Sequence, residues 1–278
     1  MVTRFAPSPT GWLHLGHAYA ALFAHQEAAR NQGRFLLRLE DLDAARSRPE
    51  YERGIEEDLH WLGLSWEQPV MKQSERFPAY TSALRKLQVL GLIYPCFCTR
   101  KEIQEEIARI GQAPHGPEGP VYPGTCKRLS SEEVVQRMAE NRDYALRLDL
   151  EKALALAGPN LRWEDLDHGP FVADPTPLGD VVLTRKDTPA SYHLAVVVDD
   201  AEQGITLVTR GEDLMPSTHL HRVLQALLDL SVPLWKHHRL ITDEHGKRLA
   251  KRDDARSLRT LRKQGWTPER VRSELGFA

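Results

Sequence analysis

Cysteine is scarce in this chain, with three residues in 278, and all three fall between Cys96 and Cys126. An odd count confined to one stretch excludes a disulfide scaffold and leaves a metal site or simple thiols. Charge of one sign is also lacking. The formal net charge is −2, which excludes a globally basic nucleic-acid binder but leaves room for a local basic patch. No apolar run approaches the length of a membrane span. The N-terminus, with Thr3 and Arg4 ahead of Pro7, has no apolar stretch of the kind a secretory signal needs. There is no internal repeat. The expectation is a soluble, cytoplasmic monomer. Hydrophobic residues form 41% of the sequence, enough for the core of one large or two small domains.

The stretch Arg-Phe-Ala-Pro-Ser-Pro-Thr-Gly-Trp-Leu-His-Leu-Gly-His, from Arg4 to His17, organises the rest. An apolar start reads as a short strand. Pro7, Pro9 and Gly11 then break the chain, and Leu15 to Ala29 read as a helix. His14 and His17 therefore sit at a helix N-terminus, where unpaired N–H groups and the macrodipole favour phosphate. Three residues apart, the two imidazoles share one face of the first turn and can donate to one anion. Gly16 between them lets a flat ring pack on the backbone. The Gly11-x4-Gly16 spacing mimics a P-loop, but His17-Ala18 replaces the required Lys-Ser/Thr.

Further along, Arg34 to Leu39 reads as a second strand, ending in Glu40-Asp41-Leu42-Asp43. Strand, helix, strand forms a βαβ unit that brings Glu40 to the edge where ligands bind; a carboxylate there can hold an α-amino group or orient magnesium. Ser47 to Leu62 reads as a helix, with Ser47 as N-cap and Glu50 completing a capping box. Another helix runs from about Phe77 to Leu90. Tyr94 to Cys126 is rich in Pro and Gly and opens an inserted domain. Three thiolates plus one oxygen or nitrogen ligand suit zinc, with His115 or Tyr122 as the fourth. Four protein ligands leave no open position, so the role is structural. A helix is expected from Ser130 to Glu140 and a strand from Tyr144 to Leu150. Trp163 to Asp174 reads as acidic and irregular. The apolar run Leu194–Val198 is a buried parallel strand or the helix packed on one. A strand follows from Ile205 to Arg210, then a helix from Ser217 to Leu228. Between Lys236 and Lys263, ten Lys or Arg face four acids.

The Arg4–His17 segment resembles the HIGH motif of class I aminoacyl-tRNA synthetases, in the form carried by the glutamyl branch. Arg38-x-Glu-Asp-x-Asp43, Trp61-Leu-Gly-Leu-x-Trp66, Tyr192-x4-Val-Val-Asp-Asp200 and Arg210-Gly-x-Asp213 extend that resemblance. Arg248-Leu-Ala-Lys-Arg252 resembles the KMSKS loop, with Arg248 where lysine is usual and Ala250 where serine is usual. The Cys96-x-Cys98…Tyr122-x3-Cys126 arrangement is similar to that of the glutamyl-Q tRNA(Asp) synthetase family, which favours Tyr122 over His115 as the fourth ligand.

The resemblance implies an α/β fold: a Rossmann-type class I catalytic domain with an inserted zinc-containing subdomain and a short C-terminal helical stem. The boundaries would be 1–92 and 179–235 for the two catalytic halves, 93–178 for the insert, and 236–278 for the KMSKS-like loop and stem. It implies that glutamate's α-carboxylate attacks ATP, Mg²⁺ sharing the phosphate charge, and that the glutamyl group passes to tRNA. His14, His17 and Lys251 would act on the phosphates, with Gly16 and Arg248 completing the ATP site. Arg4, Ser8, Glu40, Tyr192 and Arg210 would hold glutamate; an arginine at a strand end can fork onto a carboxylate. The chain ends shortly after Arg252, with no room for the anticodon-binding region of glutamyl-tRNA synthetases. The expected acceptor is therefore the queuosine base of tRNA(Asp). A minimal tRNA-charging enzyme and a catalytically silent RNA-binding paralogue are the alternatives.

Overall fold

A parallel β-sheet begins the molecule. The computed structural model describes residues 1–110, 115–117, 119–185, 188–241 and 257–277. Strand β1 (Val2–Phe5) leads through the Pro-rich turn into helix α1 (Leu15–Arg30), and β2 (Arg34–Leu39) pairs parallel with β1. Helix α2 (Pro49–Trp61) and β3 (Glu67–Lys72), parallel to β2, complete a first three-stranded sheet in the order β1-β2-β3. Helix α3 (Phe77–Val89) follows.

Next comes β4 (Ile93–Cys96), then α4 (Arg100–Ile110), the two-residue strands β5 (His115–Gly116) and β6 (Gly119–Pro120), and α5 (Ser131–Ala139). Strand β7 (Ala145–Leu148), α6 (Leu150–Ala157) and the hairpin of β8 (Arg162–Asp165) and β9 (Gly169–Val172) lead to β10 (Val182–Thr184). The second parallel half holds α7 (Tyr192–Glu202), β11 (Leu207–Gly211), α8 (Met215–Leu228) and β12 (Leu234–His238). Helices α9 (Leu258–Lys263) and α10 (Pro268–Leu275) end the described chain.

The two halves meet where β11 lies beside β1. The Thr206 N–H donates to the Val2 carbonyl at 3.0 Å, and the Val2 N–H to the Thr206 hydroxyl at 2.8 Å. Strand β12 pairs parallel with β11. The turns at the carboxyl ends of β1, β2 and β11 thus share one edge, where ligands bind in open parallel sheets. One core packs α1, β2 and α2 against Leu258, Leu261, Val271 and Leu275 of the last two helices. The C-terminal helices therefore anchor to the first half. A second core joins α3, α6, α7 and α8.

Several expectations are corrected. Helix α2 starts at Pro49 with Arg48 as N-cap and no side-chain cap, and the Ser47 hydroxyl is buried without a hydrogen-bond partner. Pro49 fixes the first helical φ and pushes Arg48 into extended backbone, so the helix begins after the Ser47 box could close. The acidic stretch from Trp163 is a β-hairpin, not irregular chain. Trp163 and Asp165 alternate inward, and the Asp165 carboxylate caps the turn by accepting from the Asp167 and His168 N–H groups at 3.0 Å each. The apolar run at Leu194–Val198 is a helix, so the second of its two readings holds. Sheet pairing spans residue 178: β10 pairs with β7, which in turn pairs with β4, while β8 and β9 join β12 and β11.

Candidate functional site

The strand-to-helix turn is held from both sides. The Glu40 N–H donates to the Pro7 carbonyl and the Arg48 N–H to the Pro9 carbonyl, both at 3.1 Å. These bonds seat the carboxyl end of β2 against Ser8. At the helix start the two histidines cap each other. The His14 ring accepts from the Gly16 N–H at 3.1 Å, and His17 Nδ1 accepts from the His14 N–H at 3.2 Å. Their rings lie 3.8 Å apart. Because each Nδ1 accepts a backbone proton, each neutral ring carries its own proton on Nε2. The shared face expected of the pair is present, with one donor nitrogen per ring. A Cβ on Gly16 would lie 3.0 Å from the His14 ring, so a larger residue there would have to displace that imidazole by a few tenths of an ångström.

After β12 the described chain runs to Ile241 and resumes at Ser257, which forms a bridge with His14; the Leu258 N–H donates to the Leu13 carbonyl at 2.8 Å. Arg248, Ala250 and Lys251 lie outside the described residues.

Ser8, Glu40, Asp43, Arg46, Arg185 and Tyr192 line one cavity of about 300 Å³. Three of the five expected glutamate residues thus share it. Arg46 and Arg185 were not anticipated, because nothing in their local sequence separates them from solvated arginines. Arg4 is buried and committed to Asp200 through two hydrogen bonds, at 2.9 and 3.2 Å, and to the Thr209 carbonyl at 3.1 Å. Arg38, fully buried, donates to the same Asp200 at 2.7 Å and reaches Glu40 at 3.4 Å. Burial works against the Asp200 carboxylate, but Arg4 and Arg38 outweigh it and hold its pKa below the ordinary range. Glu40 is shifted the other way: burial raises its pKa despite the pull of Arg38 and Arg4. The structural roles of Arg38 and Asp200 were missed, although both residues stand in the quoted motifs.

Arg210, at 6% exposure, differs from Arg4. Its Nε donates to His237 Nε2 at 3.2 Å, one Nη to Tyr192 Oη at 3.0 Å and to His221 Nδ1 at 3.1 Å, and the other Nη to the Thr218 hydroxyl. Every one of these acceptors is neutral, and no carboxylate among the described residues pairs with it. Burying an uncompensated charge is costly, and a buried guanidinium with only neutral partners has the chemistry to take up an anion. Four of its five N–H groups are used. Tyr192 Oη, having accepted from Arg210, keeps its own proton to donate. The geometry therefore offers a carboxylate one Arg210 N–H and the Tyr192 hydroxyl rather than a two-pronged fork. Burial raises the Tyr192 pKa, against the pull of Arg210, so the phenol stays protonated.

A second cluster lies in the insert. The sulfurs of Cys96, Cys98 and Cys126 lie within 4.8 Å of one another. Tyr122 Oη is 3.4 Å from the Cys96 sulfur and 3.6 Å from that of Cys98. Four converging donors, three of them soft, match the chemistry of a tetrahedral zinc site. A hydrogen bond from Cys96 and others from Tyr122 and the Phe97 N–H lower the Cys126 pKa against its burial, so one sulfur is already disposed to be a thiolate. Tyr122 is nearly buried, beneath the Arg147 guanidinium at 3.8 Å. The side chain of His115 lies outside the described part of the structure.

The family described as tRNA synthetases class I (E and Q), catalytic domain, matches residues 1–276. The chain belongs to that family and is a class I aminoacyl-tRNA synthetase-like ligase. More particularly, it is similar to proteins named glutamyl-Q tRNA(Asp) synthetase. It is 47% identical to one from Rhodobacter capsulatus, covering all of both chains. It is 45% identical to one from Nocardia farcinica, covering 96% of this chain and 81% of that one. The glutamate-tRNA synthetase structure from Elizabethkingia anophelis superposes with a TM-score of 0.75 at 32% identity, covering 91% of this chain. The chain spans about half of that synthetase, 53% of its length. Among the described residues, no helix is long and apolar enough to cross a membrane.

Proposed function

We propose that this ligase activates L-glutamate with ATP and transfers the glutamyl group to the queuosine base of tRNA(Asp), acting as a cytoplasmic monomer. The observation that carries the glutamate reading is the buried Arg210, whose hydrogen-bond partners are all neutral, joined to Tyr192 on the wall of a cavity that also holds Ser8 and Glu40. A ligand with two carboxylates and one amino group satisfies this set. Its side-chain carboxylate accepts hydrogen bonds from the Tyr192 hydroxyl and from the remaining N–H of Arg210. Its ammonium group meets Glu40, and Ser8 adds a polar contact. Arg4 acts through Asp200 and by its positive charge beside Glu40 and Tyr192.

The α-carboxylate then attacks the α-phosphate of ATP in line and pyrophosphate leaves. Such transfers need positioning and charge neutralisation above all. His14 and His17, each with an Nε2 proton, Gly16 at the helix start, and Arg248 and Lys251 of the basic loop serve the phosphates. Mg²⁺ arrives with ATP as part of the substrate. Cys96, Cys98, Tyr122 and Cys126 would hold a zinc ion, which when bound supplies a cross-link for a segment with little core of its own.

The acceptor rests on the relatives' names and on the resemblance around Tyr122. Labelled glutamate and ATP, offered with tRNA containing or lacking queuosine, test it. Labelling of the queuosine-containing tRNA alone is expected. Equal labelling of both would make this a tRNA-charging ligase instead, and no labelling with no pyrophosphate exchange would make it a silent paralogue.

A further inference from the structure

Behind Arg210 lies a chain of imidazoles, His237, His221 and His193 buried and His168 exposed, that the reaction itself does not use. His168 Nδ1 is 2.8 Å from Asp165 Oδ1, and Asp165 Oδ2 is 2.7 Å from His237 Nδ1. Asp165 Oδ2 also accepts from the His237 backbone N–H at 3.0 Å. On the other side, His221 Nε2 is 3.2 Å from His193 Nδ1. Arg210 stands between the two branches, touching His237 Nε2 and His221 Nδ1.

The proton positions follow from donor chemistry. A guanidinium only donates, so both touching nitrogens accept. His237 must then carry its proton on Nδ1, facing Asp165. His221 must carry its proton on Nε2, facing His193 Nδ1. Both rings must be neutral, because a cation could not accept from Arg210. Burial and the Arg210 charge lower the His237 pKa to about 4, and the same two causes lower that of His221. Burial opposes the Asp165 charge, but hydrogen bonds from His168 and His237 hold its pKa down to about 2. The carboxylate is thereby kept one imidazole away from the guanidinium. It fixes a tautomer without neutralising the positive charge.

We propose that Asp165 and His237 are positioning residues for substrate recognition: by locking His237 as an Nε2 acceptor they aim Arg210, with Tyr192, at the substrate's side-chain carboxylate. His221 and His193 form the matching lock on the other nitrogen. The proposal rests on the reading of Arg210 as a glutamate-binding residue. It adds that the sharpness of that binding is set from the opposite side of the sheet strand, by the β8–β9 hairpin.

The test is glutamate-dependent ATP–pyrophosphate exchange by the whole protein, with KM and kcat measured separately. Asp165→Asn places an amide donor against His237 Nδ1, which moves the ring proton to Nε2 and points it at Arg210. His237→Asn keeps a donor for Asp165 but is too short to reach Arg210. His237→Gln puts an amide oxygen near the Nε2 position and restores the acceptor. Asp165→Asn and His237→Asn should raise KM for glutamate about tenfold. Their kcat should stay within about threefold, because the side-chain carboxylate is remote from the reacting one. KM for ATP should not move, and His237→Gln should recover most of the glutamate affinity. A purely structural role would lower the active fraction, and with it kcat, at unchanged KM. A rise in KM for glutamate below fivefold in His237→Asn, or His237→Gln as impaired as His237→Asn, overturns the proposal. If Asp165→Asn does not fold, the His237 pair decides alone. A wild-type protein with no glutamate-dependent exchange would instead remove the glutamate reading itself, and this proposal with it.

Discussion

Replacing Arg210 by lysine keeps the charge and removes the geometry. The guanidinium satisfies His237, His221, Tyr192 and Thr218 and retains one N–H for a ligand. An ammonium has three donors, fewer than the four acceptors it would inherit, and a flexible stem that does not fix their directions. It can serve the substrate only by abandoning part of its cradle. One charge-assisted hydrogen bond is then lost, and such a bond to a charged group contributes about 1.5–3 kcal/mol. At about 1.4 kcal/mol per tenfold, this is roughly a 10- to 100-fold weaker interaction with glutamate. The contact lies away from the reacting carboxylate, so it is made equally in ground and transition states. The loss should appear in KM with kcat nearly unchanged. Pyrophosphate exchange across a glutamate titration reads both constants, and calorimetric titration of glutamate without ATP reads the binding step alone. Arg210→Gln, which removes the charge as well, should be worse than Arg210→Lys. Glutamate binding by Arg210→Gln within twofold of wild type would refute the reasoning. It would mean that the buried guanidinium serves the fold and not a ligand.

Other consequences are equally open to measurement. The nearly buried Asp58 accepts from Arg262 at 3.1 Å through one oxygen, its other oxygen has no partner, and burial pushes its pKa up to about 6. A carboxyl raised in the fold costs stability when it ionises, so its contribution falls as pH rises from about 4 through about 6. Asp58→Asn should relieve up to about 3 kcal/mol of that cost above pH 7, and thermal melts of both proteins from pH 4 to 8 would show it. A melting point at pH 8 well below wild type would sink the idea. His237 runs the other way. Its pKa is lowered to about 4, so its stabilisation is full above the unfolded value near 6.5 and is lost as pH falls towards 4, a slope that His237→Gln should remove from the same melts. Metal analysis should find about one zinc per chain, with Cys126→Ser abolishing it and Tyr122→Phe weakening retention against a chelator; metal-free protein with an unchanged melting curve would remove the site. His17→Ala should cut pyrophosphate exchange by roughly 10²–10³ if its Nε2 proton meets developing phosphate charge, leaving glutamate binding by calorimetry unchanged.

Much of the first half was legible because its signals are local. Pro7, Pro9 and Gly11 leave the chain no regular structure, and the helix that follows must present His14 and His17 on its first turn. Strand β2 and helix α8 carry apolar patterns that match their bounds. The α2 start was misplaced by a rule of the same local kind: Pro49 competes with the Ser47 capping box and wins, because a fixed φ acts before any side-chain hydrogen bond can. The hairpin at Trp163 was missed for another reason. Its pairing partner, β12, lies some seventy residues later in the chain, and acidic composition hides two buried positions, Trp163 and Asp165.

The sequence by itself determined which chemical groups are present and which local turns display them: a phosphate-ready helix start, a carboxylate ending β2, three cysteines in one Pro/Gly-rich segment, and the motif order that places the chain in its family. Tertiary structure alone decided which arginine is paired with a carboxylate and which has only neutral partners. Arg4 and Arg210 read alike at their strand ends. Only folding brings Asp200 to Arg4, and only folding surrounds Arg210 with His237, His221, Thr218 and Tyr192. The reason is physical: the net charge of a buried group depends on neighbours from distant segments, and no periodicity or spacing in one segment encodes the partners supplied by another.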